Sequence, residues 1–289
     1  MVNNYAATRQ FTEGLIALDG YLPLLDETIE AEPRQQGLLA AGIFYNQIGQ
    51  YEMGQRLADR VLAEEASPRS RCFAQNLTIE AMVGRKVMPT ADTVFTDAMA
   101  QCRAAGEFAV AAFVGLNLGR KLQAEQRYQD AIAALEAQQP SVDDSRYPRL
   151  QGEQHSLLAE LKFAVGDWAA AERHAQAAVG LSAATPHSLP LVNAHRTLYQ
   201  LAERSGDSAA ALRHYRNYAE ADKAYLDDVK ARELAFQMAR HETLQKTQTI
   251  ELLNRRNEVL QLEQQVSRRT TQAVGLLAAL LALVAASIA

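Results

Sequence analysis

Strand-forming and turn-forming residues are scarce in this chain of 289 residues. Aromatic side chains make up 7% of it, and it has only 15 Gly and 8 Pro. Runs of Val, Ile and Thr, which are typical of strands, are missing, whereas Ala, Leu, Gln, Glu and Arg dominate. The composition therefore predicts an all-α protein, and 48% hydrophobic residues are ample for a packed core.

Excess positive charge is also absent. The net charge is -5 and the pI is near 5.7. Binding to nucleic acid normally requires a basic face that neutralises phosphates. We therefore expect no nucleic-acid partner.

Motifs for catalysis and for metal binding are missing as well. The six histidines are scattered, and no two of them lie at i,i+4 with a carboxylate in a metal-ligand pattern. The chain has no Gly-rich phosphate loop, nucleophile elbow or paired-carboxylate motif. We expect neither enzymatic activity nor a metal or cofactor.

A short pattern recurs along the middle of the chain with a period of about 40 residues, in the range of helical-repeat proteins. The copies begin at Gln126, Gly166 and Gly206, and a fourth begins at Gly49. In each copy a Gly or polar residue ends one helix, and a polar residue, which is Asp in two copies, begins the next. A small residue lets the helices approach, and an aromatic packs between them in every copy except the one at Gly206, which has Ser208. The stretch 71–106 has the length of another helical pair without the pattern. Such hairpins are expected to stack into a solenoid.

These residues resemble tetratricopeptide repeats (TPR). In the best copy Gly42, Tyr45, Gly49, Tyr51 and Gly54 match the small, aromatic, Gly, aromatic and small positions of that family. The resemblance covers residues 38–225, and residues 1–37 are predicted to form a degenerate first hairpin. The usual TPR period is about 34 residues, so the longer period of this chain indicates longer helices. HEAT-type repeats, which share the longer period but lack the turn pattern, are the second interpretation.

The first helix of each pair lines the concave groove of a TPR solenoid. Its polar residues are predicted to bind a peptide or protein, and Asn117 with Arg120 has the spacing to hold a peptide carboxylate. A solvated face with intramolecular ion pairs is the alternative. By repeat position the predicted set is Asn46, Asn76, Glu80, Asn117, Arg120, Glu160, Arg196 and Gln200.

The two cysteines, Cys72 and Cys102, lie about equally far from a turn expected near residues 87–89. On antiparallel helices they would approach each other, so a disulfide is feasible if their Cα atoms come within about 7 Å. Without oxidation they would be two small buried apolar side chains.

Residues 226–270 are predicted to form a long linker helix, because Gly and Pro are absent there. Ile250, Leu253, Asn257 and Leu260 follow the 3, 4, 3 spacing of a coiled-coil seam, and a buried Asn can fix a dimer's register. This pattern favours a parallel homodimer. A single solvated helix, or one packed back on the solenoid, remains open.

A run without charged side chains, from Ala273 to Ala289, ends the sequence. As a helix it would be about 25 Å long, just short of the ~30 Å hydrocarbon core of a bilayer. We therefore predict a truncated transmembrane helix over 271–289 and expect the natural chain to continue. A buried helix of a soluble bundle is the alternative.

This order of parts resembles the sensory half of bacterial membrane-bound signalling proteins, and residues 225–265 carry the resemblance. In such proteins the span leads into a cytoplasmic GGDEF diguanylate cyclase, or less often into a histidine kinase. The resemblance implies a non-catalytic peptide or protein sensor on the inner membrane, with periplasmic repeats and a missing output domain. A membrane-anchored scaffold without an output domain is the alternative.

Overall fold

The chain is all-helical. The computed structural model describes the backbone of residues 2–288 and the side chains of residues 4–278 and of Leu280, and α-helix is the regular secondary structure throughout that part. The all-α prediction is confirmed. The helices are α1 Val2–Ala7, α2 Phe11–Asp26, α3 Ala31–Gln47, α4 Tyr51–Leu62, α5 Pro68–Gly84, α6 Thr93–Ala104, α7 Phe108–Ala124, α8 Tyr128–Asp144, α9 Pro148–Ala164, α10 Trp168–Ser182, α11 Leu189–Ser205 and α12 Ser208–Ile288.

The described helices form six hairpins, and in each of them a residue with positive φ separates the two helices. These turn residues are Arg9, Gly49, Lys86, Gln126, Gly166 and Gly206. Their spacing along the chain is nearly constant and matches the period of about 40 residues found in the sequence. A left-handed residue at this point ends the first helix and reverses the chain. The repeat therefore extends from the first hairpin to the last.

Two of these turns lie outside the four copies of the sequence pattern, and one of the two was expected near residues 87–89. The α5–α6 connection turns at Lys86, where neither Gly nor a following aromatic marks the pattern. The first hairpin turns at Arg9, which is followed by Gln10 and Phe11 just as Gly49 is followed by Gln50 and Tyr51. The structure keeps the repeat spacing even where the residue is not glycine.

We call the first helix of each hairpin the A helix and the second the B helix. Each A helix from α3 to α9 contacts the next A helix, whereas in the described chain none of the B helices α2, α4, α6 and α8 contacts the next B helix. The A helices therefore form the closely spaced inner layer of the solenoid. We call the exposed face of this layer the groove.

The core lies between the A and B helices. Leu116, Leu135, Leu150 and Leu158, from α7, α8 and α9, are completely buried in one cluster. Burial of each such side chain stabilises the fold by roughly 1.5–3 kcal/mol. Within the hairpin of α3 and α4, a Cβ added to Gly54 would lie 3.1 Å from the carbonyl oxygen of Gly42. Glycine is needed there because a Cβ would clash with the buried Asn46 side chain and crowd the α3 backbone.

Cys72 of α5 and Cys102 of α6 are joined by a disulfide. The sulfur atoms are 2.07 Å apart, and the Cα atoms are 4.9 Å apart. Both residues are completely buried beside Val110 and Ala111 of α7. The bond fixes a hairpin whose turn sequence lacks the pattern.

The part of α12 up to Phe236 belongs to a compact unit of residues 1–236. Within this unit Ala221, Asp228 and Ala235 are buried at intervals of seven residues. Arg9 donates to the Asp228 carboxylate at 2.7 Å, and Arg232 donates to the carbonyl of Gln47 at 2.7 Å. Helix α12 thus contacts the turn residue of the first hairpin and the end of α3.

Residues 237–289 form the second unit. Three of the predicted seam residues, Ile250, Leu253 and Leu260, are about half exposed, and Asn257 is exposed as well. The homodimer therefore stays a prediction.

The predicted transmembrane helix over 271–289 is corrected. Among the residues whose side chains are described, no helix combines the length and the hydrophobicity needed to cross a bilayer. The charge-free run is shorter than the hydrocarbon thickness, and Arg268 and Arg269 precede it closely. The side chains of residues 281–289, which end this run, lie outside the described part. The single-pass inner-membrane location is corrected with it, and the membrane partner, which depended on the same helix, has no support.

Candidate functional site

One position of the repeat places polar residues on four successive A helices. Glu80, Arg120, Glu160 and Gln200 each lie six residues before the left-handed turn residue, on α5, α7, α9 and α11. The inner layer therefore carries, in order, a negative, a positive, a negative and a neutral side chain at the same level. The other predicted residues lie beside this row, with Asn46 on α3, Asn76 on α5, Asn117 on α7 and Arg196 on α11.

Asn46 and Glu80 connect α3 with α5. The buried amide of Asn46 donates to Glu80 Oε2 and to the carbonyl oxygen of Leu77, both at 3.0 Å. Burial raises the pKa of Glu80, and the charge of Arg149 and the Asn46 hydrogen bond only partly offset this effect. Glu80 is thus a carboxylate held at the edge of the groove by its neighbours.

Arg120 and Glu153 connect α7 with α9. Arg120 Nη2 lies 2.7 Å from Glu153 Oε2, and Arg120 Nη1 donates to Asn117 Oδ1 at 3.0 Å. Arg149 binds the other oxygen of Glu153 at 2.9 Å. Burial alone would raise the pKa of Glu153, but the guanidinium groups of Arg149 and Arg120 hold it below its ordinary value.

The predicted Asn117–Arg120 pair is therefore assembled, and in this structure its guanidinium binds a carboxylate from the same chain. The geometry is that of an arginine able to hold a carboxylate in the groove. A ligand carboxylate would compete with Glu153 for it.

Glu160 and Arg196 connect α9 with α11. Arg196 Nη2 lies 3.3 Å from Glu160 Oε2 and also donates to Asn193 Oδ1 at 3.0 Å. Burial raises the pKa of Glu160, whereas Arg196 lowers it, and the net shift is upward. This cluster repeats the arrangement around Arg120, because an Asn three residues earlier on the same helix positions each arginine.

The remaining two predicted residues take no part in these clusters. Gln200 is exposed. Asn76 is half-buried, and its Oδ1 atom is buried without a hydrogen-bond partner in the described structure. This oxygen is an unsatisfied acceptor on α5.

Helix α12 contributes to the same region. Burial raises the pKa of Tyr51, and the charge of Glu80 and the hydroxyl of Tyr225 raise it further, while Arg232 and Arg120 lower it. Tyr225 and Arg232 of α12 therefore act on Tyr51, the first residue of the B helix α4, on which Glu80 and Arg120 of the inner layer also act. Sequence analysis missed this involvement because a helix far along the chain carries no local sign of what it packs against.

Sequence analysis also missed Arg149, Glu153 and Asn193. Glu153 and Asn193 lie one repeat apart, so applying the repeat spacing to every A-helix position would have found them. No comparable signal marks Arg149. Its side chain was placed by folding, with its guanidinium 6.0 Å from the centre of the Phe113 ring.

The groove thus carries three carboxylates and three guanidinium groups in partly exposed clusters. Its arginines are held by charge-assisted hydrogen bonds, which are stronger than neutral ones and directional. Such groups can bind the amide and carbonyl groups of an extended polypeptide as well as its charged side chains. The opposite charges balance, so the surface does not select a highly charged ligand.

Comparison with solved structures identifies the fold. The chain is similar to the crystal structure of a Rap protein complexed with competence and sporulation factor, with a TM-score of 0.55 and 12% sequence identity. The alignment covers 78% of this chain and 74% of that one. No family model and no curated protein matches the sequence. At this identity the likeness shows the fold alone, and it confirms the predicted TPR-like helical-repeat architecture.

Proposed function

We propose that this chain is a non-catalytic module that binds a peptide or an extended protein segment in its groove. The row of Asn–Arg–Glu clusters on successive A helices carries this proposal. The groups in these clusters are already positioned by intramolecular hydrogen bonds, so less conformational entropy is lost when a ligand binds. The Rap protein of similar fold was solved in complex with competence and sporulation factor, which supports the same use of the fold here.

Panning of a random-peptide library against the full chain tests the proposal. A selected peptide should bind the wild type and lose at least tenfold in affinity with Arg120→Met or Arg196→Met, as measured by calorimetry. Arg103→Met is the matched control, because Arg103 is an exposed residue of the outer helix α6. Equal affinities for all four proteins, or the absence of any binding peptide, would contradict the proposal.

The finer expectation of a sensor that signals to an output domain, such as a diguanylate cyclase, belongs to the same proposal. It is supported by the hydrogen bonds of α12 with Arg9 and with the carbonyl oxygen of Gln47, and by the length of α12, which is one helix from Ser208 to Ile288. A scaffold without an output domain remains the rival function. Amide exchange separates the two, since a sensor requires the bound peptide to change protection along α12.

A further inference from the structure

Four of the six histidines form two pairs whose members come from different helices. His155 of α9 and His174 of α10 lie with their Nδ1 atoms 2.8 Å apart. His195 of α11 and His214 of α12 form the second pair, with ring centres 6.1 Å apart. Both members of the second pair follow those of the first by one repeat, so the two pairs occupy the same place on successive hairpins.

The first pair brings two imidazole nitrogens together, and the second pair holds buried imidazole nitrogens without hydrogen-bond partners in the described structure. The Nδ1 atoms of His155 and His174, 2.8 Å apart, must share a proton or a cation, because neutral nitrogens facing each other as acceptors would repel. In the second pair the Nδ1 atoms of His195 and His214 are buried and have no hydrogen-bond partner in the described structure. Buried polar atoms without partners are rare, and a bound ion is one physical explanation for them.

The environment keeps these imidazoles uncharged. Burial, followed by the neighbouring His155, lowers the pKa of His174 to about 4. Burial also lowers the pKa of His155, His195 and His214. The imidazoles are thus neutral at pH 7, the form that coordinates a metal.

Charges of both signs surround the pairs. The carboxylate of Asp143 acts on His155, Glu136 acts on His174, and Glu172 acts on His214. The cations Lys162 and Arg173 act on His174, and Arg213 acts on His214. Each pair therefore has a carboxylate nearby that offsets part of the positive charge of a bound ion.

We propose that each histidine pair is a two-imidazole site for a first-row divalent metal ion such as Zn²⁺. Imidazole nitrogen suits this class of ion, and Zn–N bonds of about 2.0–2.1 Å in tetrahedral geometry put two ligand nitrogens about 3.3 Å apart. A small rotation of the half-buried rings of His155 and His174 provides this separation. No group of three or more His, Cys, Asp or Glu residues within the described part could hold an ion, so water completes each site.

The proposal departs from the expectation of no metal. A search for histidines at i,i+4 on one helix cannot detect ligands that come from two helices of a hairpin. Each bound ion would join the A helix of its hairpin to the B helix. It would therefore stabilise the last two hairpins increasingly as its free concentration rises.

Calorimetric titration of the full chain with ZnCl₂ tests the proposal. Wild type should bind two ions, His155→Asn one, and the double variant His155→Asn/His195→Asn none. His241→Asn is the matched control and should retain two, because His241 is exposed and belongs to neither pair. Failure of the wild type to bind zinc, or retention of both ions by the double variant, overturns the proposal.

A second measurement protects the test against a variant that does not fold. The ¹⁵N resonances of the imidazoles are recorded on wild type with zinc, and separately with MgCl₂. Zinc should shift the Nδ1 resonances of the four paired histidines and leave those of His187 and His241 in place, whereas magnesium should shift none. Unchanged resonances of the paired histidines would equally overturn the proposal.

Discussion

Among single residues, Lys121 of α7 is a charge enclosed almost completely by the protein. Its side chain is 2% exposed, and its Nζ lies 2.6 Å from both Asp92 Oδ1 and Glu125 Oε1. Arg127 binds the other oxygen of Asp92 at 2.8 Å. A buried ammonium is tolerated only when it is paired in this way. Local sequence cannot reveal the pairing with Asp92, which lies 29 residues away along the chain.

We predict that Lys121→Ala lowers the free energy of unfolding by about 2–3 kcal/mol, because charge-assisted hydrogen bonds and the packing of the aliphatic stem are both lost. Lys121→Met keeps the stem and should lose less. Urea unfolding at pH 7 measures both variants, with the exposed Lys230→Ala as control. If Lys121→Ala were as stable as Lys230→Ala, the ion pairs of Lys121 would contribute nothing to the free energy of unfolding.

The same cluster predicts a dependence on pH. The Lys121 hydrogen bond, followed by that of Arg127, lowers the pKa of Asp92, and Lys121 likewise lowers the pKa of Glu125. A carboxylate with a lowered folded-state pKa contributes stability above its unfolded-state pKa and loses it as the pH falls toward the folded value. The difference in urea midpoint between wild type and Lys121→Met should therefore shrink from pH 6 to pH 3. A difference independent of pH would refute this electrostatic origin.

Among the structural elements, the hairpin turns depend on left-handed residues. Gln126 adopts a φ of 61°, a conformation that costs a residue with a side chain roughly 1–2 kcal/mol. We predict that Gln126→Gly raises the free energy of unfolding by about 0.5–1 kcal/mol, after allowing for the greater entropy of glycine in the unfolded chain. Ala137→Gly, at an exposed position within α8, should lower it by about 1 kcal/mol. Thermal unfolding of both variants should give shifts of opposite sign, and a loss of stability in both would contradict the prediction.

The disulfide also stabilises a hairpin, because it joins α5 and α6 across a sequence separation of 30 residues. Closing a loop of this length is expected to stabilise the protein by about 3–4 kcal/mol, mainly through the unfolded state. Cys72→Ala/Cys102→Ala should therefore unfold at lower denaturant concentration than oxidised wild type. Dithiothreitol present during unfolding should destabilise the wild type and leave the double variant unchanged. An equal effect on both would exclude a stabilising bond.

The elements were also the part of the fold that sequence reasoning predicted best. Four turns were found because Gly or Gln precedes a small residue at a constant spacing, with an aromatic between them in all except the Gly206 copy. The Lys86 turn lacks the pattern, yet a turn was expected close to it, near residues 87–89. The Arg9 turn was not located, although Gln10 and Phe11 follow Arg9 as Gln50 and Tyr51 follow Gly49. The predicted transmembrane helix was wrong because a charge-free run about 25 Å long, just short of the hydrocarbon core, was accepted as the lower limit for a span.

For the molecule as a whole, the most important contact is the one between α12 and the first hairpin, because it joins the two ends of the solenoid. Asp228 accepts from Arg9 at 2.7 Å and from Arg232 at 2.9 Å, and its side chain is 5% exposed. Arg9 and Asp228 lie 219 positions apart. No local pattern predicts a contact at such a distance, which explains why the contacts of α12 with Arg9 and Gln47 were not predicted from the sequence.

We predict that Asp228→Ala loosens the first hairpin and lowers stability by about 2 kcal/mol, since two charge-assisted hydrogen bonds are lost. Amide exchange should accelerate in α1 and α2 and remain unchanged in α9 and α10. Asp227→Ala is the control, because the side chain of Asp227 is exposed. Uniform acceleration along the solenoid would argue instead for global destabilisation.

The Arg9–Asp228 ion pair also makes the number of repeats matter. A solenoid can usually gain or lose a unit, because each hairpin packs only against its neighbours. Here an inserted copy of residues 127–166 would fold in place and yet carry Asp228 away from Arg9. Duplication of a whole unit would therefore break this ion pair, so the pair can form only with the present number of hairpins.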